Sequence, residues 1–381
     1  MIVSMRYCQS YQYENLRAIL QETIASLGGF EPYIKPGQKI LLKPNLLAKK
    51  KPEEATTTHP IFIRALASLL IEYGASVIIG DSPGGPFNSG IMNGIYKATG
   101  MEAAALATGA SLNQNYGQYE AENPSGLIMK RLTLASMLKD VDAVICVAKL
   151  KTHGMMTYTG AAKNMFGIVP GIAKAEYHFN IQDYDAFADA LIDICEAAKP
   201  VLSFIDGIVG MEGNGPAAGT PVETGAVLAS PSPHHADMAA CRLIGLATGE
   251  VPMLRRAAAR GLVKADMSDI KLVGDPYESF KGCPYKAPAT RGIMNITRFQ
   301  IPMFVKNFLA RRIQTRPHFD LSICNGCGIC REACPAKIIE IKGGKATLDF
   351  KDCIRCYCCQ ELCPKKAITI HRPRFSRVMR L

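Results

Sequence analysis

Residues 324–335 read CNGCGICREACP, and residues 353–364 read CIRCYCCQELCP. Both follow C-x2-C-x2-C-x3-C-P. A cubane iron–sulfur cluster needs four thiolates at its corners. A tight loop with two-residue spacing reaches three of them, and the fourth cysteine of each run reaches the other cluster. The spacing therefore predicts two [4Fe–4S] clusters in a crossed arrangement. Cys324, Cys327, Cys330 and Cys363 would hold one, and Cys353, Cys356, Cys359 and Cys334 the other. Each fourth cysteine is expected to open a short helix that points away. Zinc ribbons use two C-x2-C pairs and lack the trailing proline, so zinc does not fit. Cys358 falls outside the spacing and reads as a neighbour, not a ligand.

Between the runs, Ile338 to Lys342 alternates weakly, Gly343-Gly344 turns and Lys345 to Phe350 returns, which predicts a hairpin. The segment AITI after the second run mirrors AKIIEI after the first. Residues 319–372 thus form an internal repeat of 29 residues, the separation of Cys324 and Cys353. This module resembles the bacterial two-cluster ferredoxins. The resemblance implies one-electron transfer at low potential, with basic surroundings raising the potentials.

The chain has 381 residues and 48% hydrophobic side chains, enough for more than one core. No apolar run reaches the ~20 residues that span a bilayer. The N-terminal residues lack an export pattern. These features predict a cytoplasmic protein whose cysteines stay reduced. The formal net charge is +11. From Asp320 to Leu381, twelve Lys and Arg face six Asp and Glu, an excess that anionic clusters would offset. With no nucleic-acid module in evidence along the chain, the basicity points elsewhere: an acidic redox partner protein or a small anionic substrate. Five cysteines (Cys8, Cys146, Cys195, Cys241 and Cys283) are scattered and read as small buried residues.

In residues 1–283 the pattern changes to short apolar strands followed by amphipathic helices. The strands are KILLKPNLL (39–47), SVIIGDSPGG (76–85), DAVICVAKLKTHG (142–154) and VLSFIDGIVGMEGNG (201–215). The helices are expected over 59–74, 183–200 and 234–249. The fold class is α/β, a mostly parallel sheet flanked by helices, with a small α+β module at the C-terminus.

Ligands of such sheets sit beyond the carboxyl ends of the strands. The polar groups at those ends are Lys43 and Asn45, Asp81 and Ser82, Lys149, Lys151 and His153, and Asp206, Glu212 and Asn214. The longest motif, KLKTHGMMTYTGAAKNMFGIVPG (149–171), adds Lys163 and Asn164. Lysines with backbone N–H groups make an anion site for a carboxylate or a phosphate. No Walker loop, dinucleotide fingerprint or G-x-S-x-G elbow occurs. His153 is the candidate proton donor and Lys151 its partner at the reacting group. Asp81, Asp206, Glu212 and Asn214 are a candidate divalent-metal set. His59 is expected at a helix start capped by Thr57 or Thr58; His178 has no assigned role.

Together KPNL, TTHP, GDSPGG, KLKTHGMMTYTGAAKNMFG and DGIVGMEGNGPAAGTP resemble the domain of unknown function 362 family, over about residues 1–285. The resemblance implies the domain order seen here and an anaerobic setting, and it supplies no reaction.

Residues 284–318 form a proline-punctuated connector. Its MFVKNFLARRIQ stretch predicts a short basic helix, with Phe304, Phe308 and Ile313 on one face, that docks the module rather than a membrane surface. Residues 373–381 are a basic tail. The leading expectation is a redox enzyme that passes low-potential electrons to a substrate or an anionic organic cofactor in the anion-holding α/β cleft. The alternative is a non-catalytic electron-transfer or maturation partner, and a homo-oligomer is compatible with both.

Overall fold

The computed structural model describes residues 1–171, 173–290 and 315–371. The expected connector helix and the basic tail lie outside the described residues.

The strands of the main sheet are β1 (Ile2–Tyr7), β2 (Lys39–Pro44), β3 (Ser76–Ile79), β4 (Ser111–Leu112), β7 (Ala143–His153), β8 (Thr157–Thr159), β9 (Leu202–Glu212), β10 (Thr220–Ser230) and β11 (Lys271–Gly274). β5 (Gln118–Glu122) and β6 (Arg131–Ala135) form a separate hairpin. The order is β11-β1-β10-β9-β7-β2-β3-β4, with β8 folded back on β7. From β4 to β9 the path is parallel. β10 runs antiparallel to both β9 and β1.

Successive strand residues face opposite sides of a sheet, so a strand buried throughout needs cover on both faces. The cover is α1 (Tyr13–Ser26), α2 (Pro60–Glu72), α3 (Ser89–Thr99) and α4 (Met101–Thr108) on one side. On the other lie α5 (Ala161–Asn164), α6 (Ala173–Asn180), α7 (Tyr184–Ala198), α8 (Pro233–Leu243) and α9 (Pro252–Ala259). Ile40, Leu42, Ile145 and Val147 pack with Phe62 and Leu66 of α2. Their neighbours Leu41, Val144 and Cys146 pack with Phe187 and Leu191 of α7. Among the described residues no helix is long and apolar enough to cross a membrane.

The C-terminal module contains β12 (Arg316–Phe319), α10 (Ile329–Glu332), β13 (Ile339–Lys342), β14 (Lys345–Leu348), α11 (Cys358–Glu361) and β15 (Ile368–His371). The β13–β14 hairpin turns at Gly343 and Gly344, both with positive φ, as expected. β15 pairs with β12. One expectation is corrected: the helices carry the third cysteine of each run, Cys330 and Cys359, and the fourth follows the helix end. The module is no loosely held appendage. Tyr357 and Ile370 belong to the large core of the α/β domain.

Candidate functional site between the two modules

The carboxyl ends of β2, β3 and β7 open into a cavity of about 350 Å³, roofed by the cysteine-rich module. Lys151, His153, Lys163, Lys174 and His178 line the α/β wall. Ile329, Glu332 and Ala333 from α10 and its end, with Cys358, Glu361 and Leu362 from α11 and its end, form the roof.

The floor is a chain of amides. Lys151 Nζ donates to Asn45 Oδ1 (3.1 Å) and to the Thr56 carbonyl. Asn45 Nδ2 donates to Asn164 Oδ1 (3.1 Å). Asn164 Nδ2 donates to the Lys43 carbonyl (3.3 Å). Burial, with Lys163 nearby, brings Lys151 down to about 7.

Lys163 rides on α5, a single turn that needs an N-terminal anchor. Asp237 of α8 supplies it, accepting from Ala161 N (2.6 Å) and Ala162 N (2.9 Å). Burial raises the Asp237 carboxyl to about 6. Burial also lowers the Lys163 ammonium. Among the described residues it has no hydrogen-bond acceptor or carboxylate within reach; the Phe166 ring centroid is 5.9 Å away.

His153 Nδ1 accepts two backbone N–H groups, from Met155 and Met156, both at 3.1 Å. The proton therefore sits on Nε2, 3.2 Å from Glu361 Oε1. That N–H points off the oxygen, leaving both buried atoms unsatisfied. Burial and Lys163 depress His153 to about 4. A ring so fixed holds one proton and has no site to take up a second. Burial works against the Glu361 carboxylate, but His153 and Lys163 outweigh it and hold the group at about 2.

The sequence reading missed three members: Lys174, His178 and Glu361. Lys174 and His178 are four apart on α6, which places them on one helix face, and that spacing was the available signal. Lys174 Nζ donates to the Ser82 carbonyl (2.7 Å), Ser82 Oγ (3.1 Å) and the Pro83 carbonyl (2.8 Å), fixing the loop after β3. Burial brings it to about 7. His178 is 6% exposed, stacks on Phe187 and leaves Nδ1 without a partner.

Other expected members stand elsewhere. Lys43 Nζ lies buried beneath the cleft, 2.7 Å from Oδ1 of Asp81, which does line the cleft together with Ser82; Asp81 also accepts from Leu46 N. Lys149 Nζ bonds Asp206 Oδ2 (2.9 Å) and Tyr11 Oη (2.8 Å). Asp206 further accepts from Tyr11 Oη and His59 N. Glu212 accepts from Lys286 N, and Asn214 Oδ1 from Ala289 N. The three acids thus serve three separate partner sets, so the divalent-metal set expected of Asp81, Asp206, Glu212 and Asn214 does not assemble. Lys149 does not line the cleft. His59 is itself the helix cap, through Nδ1 to Ile61 N, and stacks on Tyr11 at 3.6 Å. Thr58 instead ties Asn45 N to the Val147 carbonyl.

The eight run cysteines form no disulfides. Cys324, Cys327, Cys330 and Cys363 line one small cavity. Cys334, Cys353, Cys356 and Cys359 line a second. Each is a cup of four thiols drawn from both runs, the donor set a cubane requires. Ala346 N donates to Cys324 Sγ at 3.4 Å. The repeat aligns Cys358 with Ile329 (29 residues apart), and both side chains face the cleft, outside the cups.

Residues 323–367 match the 4Fe-4S dicluster domain, which makes the C-terminal module an iron–sulfur electron-transfer unit. The thylakoid-associated protein sll1697 of Synechocystis sp. (strain ATCC 27184 / PCC 6803 / Kazusa) is 34% identical over 262 residues, covering 68% of this chain and 79% of that protein. The lactate racemase apoprotein of Thermoanaerobacterium thermosaccharolyticum overlays with a TM-score of 0.41 at 12% identity, over 64% of this chain and 57% of that one. Residues 40–242, more than half of the chain, match the model described as domain of unknown function (DUF362). The chain belongs to the DUF362 family.

Proposed function

We propose that the protein passes electrons from its cysteine-rich module to a small organic anion held in the cleft between the modules. One observation carries this reading: α10 and α11, which bear Cys330 and Cys359, are also the cleft roof. When bound, two [4Fe–4S] clusters, one in each four-thiol cup, supply single electrons. The rest falls to the chain's own side chains. Lys163 offers an unpaired ammonium to the anion. Lys151, near 7 and with one N–H beyond its two acceptors, can give a proton at neutral pH to a ligand that gains charge. Roof and wall together bury Lys151 and Lys174, which strengthens their electrostatic interactions.

Electrons enter from a partner protein at the Cys327 edge. Cys327 is the exposed thiol of the eight, and Leu321 and Ile323 beside it are each 48% exposed. An apolar rim around an exposed ligand suits a transient redox contact.

The test uses the full chain, reconstituted anaerobically and reduced with dithionite. A panel of unsaturated organic acids is mixed in, and loss of the reduced-cluster EPR signal is timed. At least one acid should reoxidise the chain, and Lys151→Met or Lys163→Met should slow it tenfold or more with iron content unchanged. Equal rates in wild type and both variants would remove the cleft from the reaction.

A further inference from the structure

Among the described residues, few hydrogen-bonding groups on the cleft's α/β wall are unspent. Several backbone N–H groups on or beside its wall are committed: Ser82 N to the Gly167 carbonyl, Gly84 N to Leu47, Asn164 N to Gly160, and Gly171 N to Ser82 Oγ. Among the described residues, what remains on that wall is the Lys163 ammonium, one N–H of Lys151, His153 Nε2–H and His178 Nδ1, the two rings 1% and 6% exposed, with Glu361 Oε1 opposite on the roof. Buried polar atoms are rarely left alone, so this group on one wall of a cavity marks the place of a ligand group.

Their charge selects that group. Lys163 contributes a positive charge with no carboxylate in ion-pair reach among the described residues, and both imidazoles are neutral at pH 7. Opposite them stands the Glu361 carboxylate, its Oε1 3.2 Å from His153 Nε2. A phosphate dianion would face that carboxylate without the nest of backbone amides that phosphates use. A neutral ligand would leave the ammonium unpaired at a buried site, which is costly. One negative charge with two acceptor oxygens matches the Lys163 ammonium and the two imidazoles.

Beside the polar Asp81, Ser82, Thr159 and Glu332, the cavity is lined by apolar Leu47, Pro86, Phe166, Ile329, Ala333 and Leu362. The cations lie on the α/β wall, and Ile329, Ala333 and Leu362 lie on the roof. A volume of about 350 Å³ is at the small end of ligand pockets.

We infer that the cleft binds a monocarboxylate with an apolar body, its carboxylate on Lys163, His153 and His178 and its body against α10 and α11. This rests on the reading that the cleft is the ligand site. It adds the substrate class and the direction in which the substrate lies: the apolar end is presented to the two cysteine cups.

The experiment is anaerobic isothermal titration of the reconstituted full chain. The probes are trans-cinnamate, 3-phenylpropionate and octanoate, the amides of all three, and phenyl phosphate. At least one carboxylate should bind at submillimolar concentration, its amide at least 30-fold more weakly, and Lys163→Met should lose at least 30-fold with iron content retained. Lys97→Met, an exposed lysine on α3, should bind as wild type does. A second measurement needs no variant. With the clusters reduced and paramagnetic, the ring 4-¹³C of bound cinnamate, or the terminal ¹³C of bound octanoate, should relax faster than its carboxyl ¹³C. Phenyl phosphate binding through Lys163 without any carboxylate would overturn the class while leaving the cleft as the site. No binding by any probe, or binding that ignores Lys163, would overturn both. A carboxyl carbon relaxing faster would overturn the orientation.

Discussion

His153 Nε2 at the end of β7 and Glu361 Oε1 on α11 face each other at 3.2 Å across the junction of the two modules. Neighbouring residues extend the junction. Gln360 Nε2 donates to the Asn214 carbonyl (2.9 Å), and Leu362 packs on Gly84. Three consecutive residues of the cysteine-rich module therefore face three separate strand ends, and Gln360 and Leu362 fix the segment there. Helix α11 carries Cys359 and ends two residues before Cys363, so the fixation that shapes the cleft also fixes where the cups stand beside it.

Burial of the histidines makes stability depend on pH. His153 and His59 are depressed to about 4 and His178 to about 3, mainly by burial. As pH falls below 6.5, the unfolded chain takes up protons that the folded chain refuses. Their contribution is full above about pH 6.5 and declines as pH drops toward 4, by up to ~1.4 kcal/mol per pH unit for each histidine. Urea midpoints at pH 7.5, 6.5 and 5.5 should fall in that order. His178→Gln should flatten the slope by about one proton. A flat profile would show that these rings are not buried.

The two cups make a distinct prediction about single cysteines. Cys363→Ser, in the second run, should disturb the cluster of the first run, and Cys334→Ser the cluster of the second. Each should lower bound iron by about half, with the surviving EPR signal differing between the two variants. Cys358→Ala should retain all iron, because its repeat counterpart is Ile329 and its side chain faces the cleft.

How much of this was legible beforehand differs by region. Ligand spacing is local, so the cups could be read from residues 324–364 alone. Strand and helix periodicity gave the α/β order, since strands such as Ala143–His153 are buried on both faces and leave continuous apolar runs. The cleft was legible only in part. Lys151, Lys163 and Asn164 stand on its wall, but Lys43 and Lys149 look identical in sequence and are consumed by Asp81 and Asp206. Which lysine stays unpaired depends on long-range partners, 38 residues away in one case and 57 in the other. Glu361 was hidden for another reason. It sits among cluster ligands, and nothing local says that α11 packs against β7.

Lys149 and Asp206 test that distinction between structure and site. Both are buried, and the Asp206 carboxylate is held by Lys149, Tyr11 and His59 N. Lys149→Met strands a buried charge and should cost ~3–5 kcal/mol. Lys149→Met with Asp206→Asn keeps the acceptor for Tyr11 without the charge and should recover more than half of that loss in urea unfolding. The double variant should still bind carboxylates in the cleft as wild type does. Loss of binding in a stably folded double variant would return Lys149 to the site.

Tyr357 shows how the repeat was adapted to docking. The first run has glycine at both left-handed positions, Gly326 (φ +69°) and Gly328 (φ +82°). The second run holds Arg355 (φ +57°) and Tyr357 (φ +61°) at the equivalent places. A side chain in this region costs ~1–2 kcal/mol. Tyr357 offsets it by packing in the α/β core at 2% exposure and by donating from Oη to the Thr315 carbonyl (3.1 Å). Tyr357→Gly would relax the backbone yet remove a buried aromatic worth ~3–5 kcal/mol, so the packing loss wins. The cups themselves do not need the ring. The variant should therefore keep its iron while the module loosens from the α/β domain, seen as faster proteolysis between the two and loss of carboxylate binding in the cleft. Arg355→Gly relieves the same backbone strain without that packing loss and should leave docking intact. If Tyr357→Gly kept both docking and cleft binding, the roof would have to be held by α11 alone.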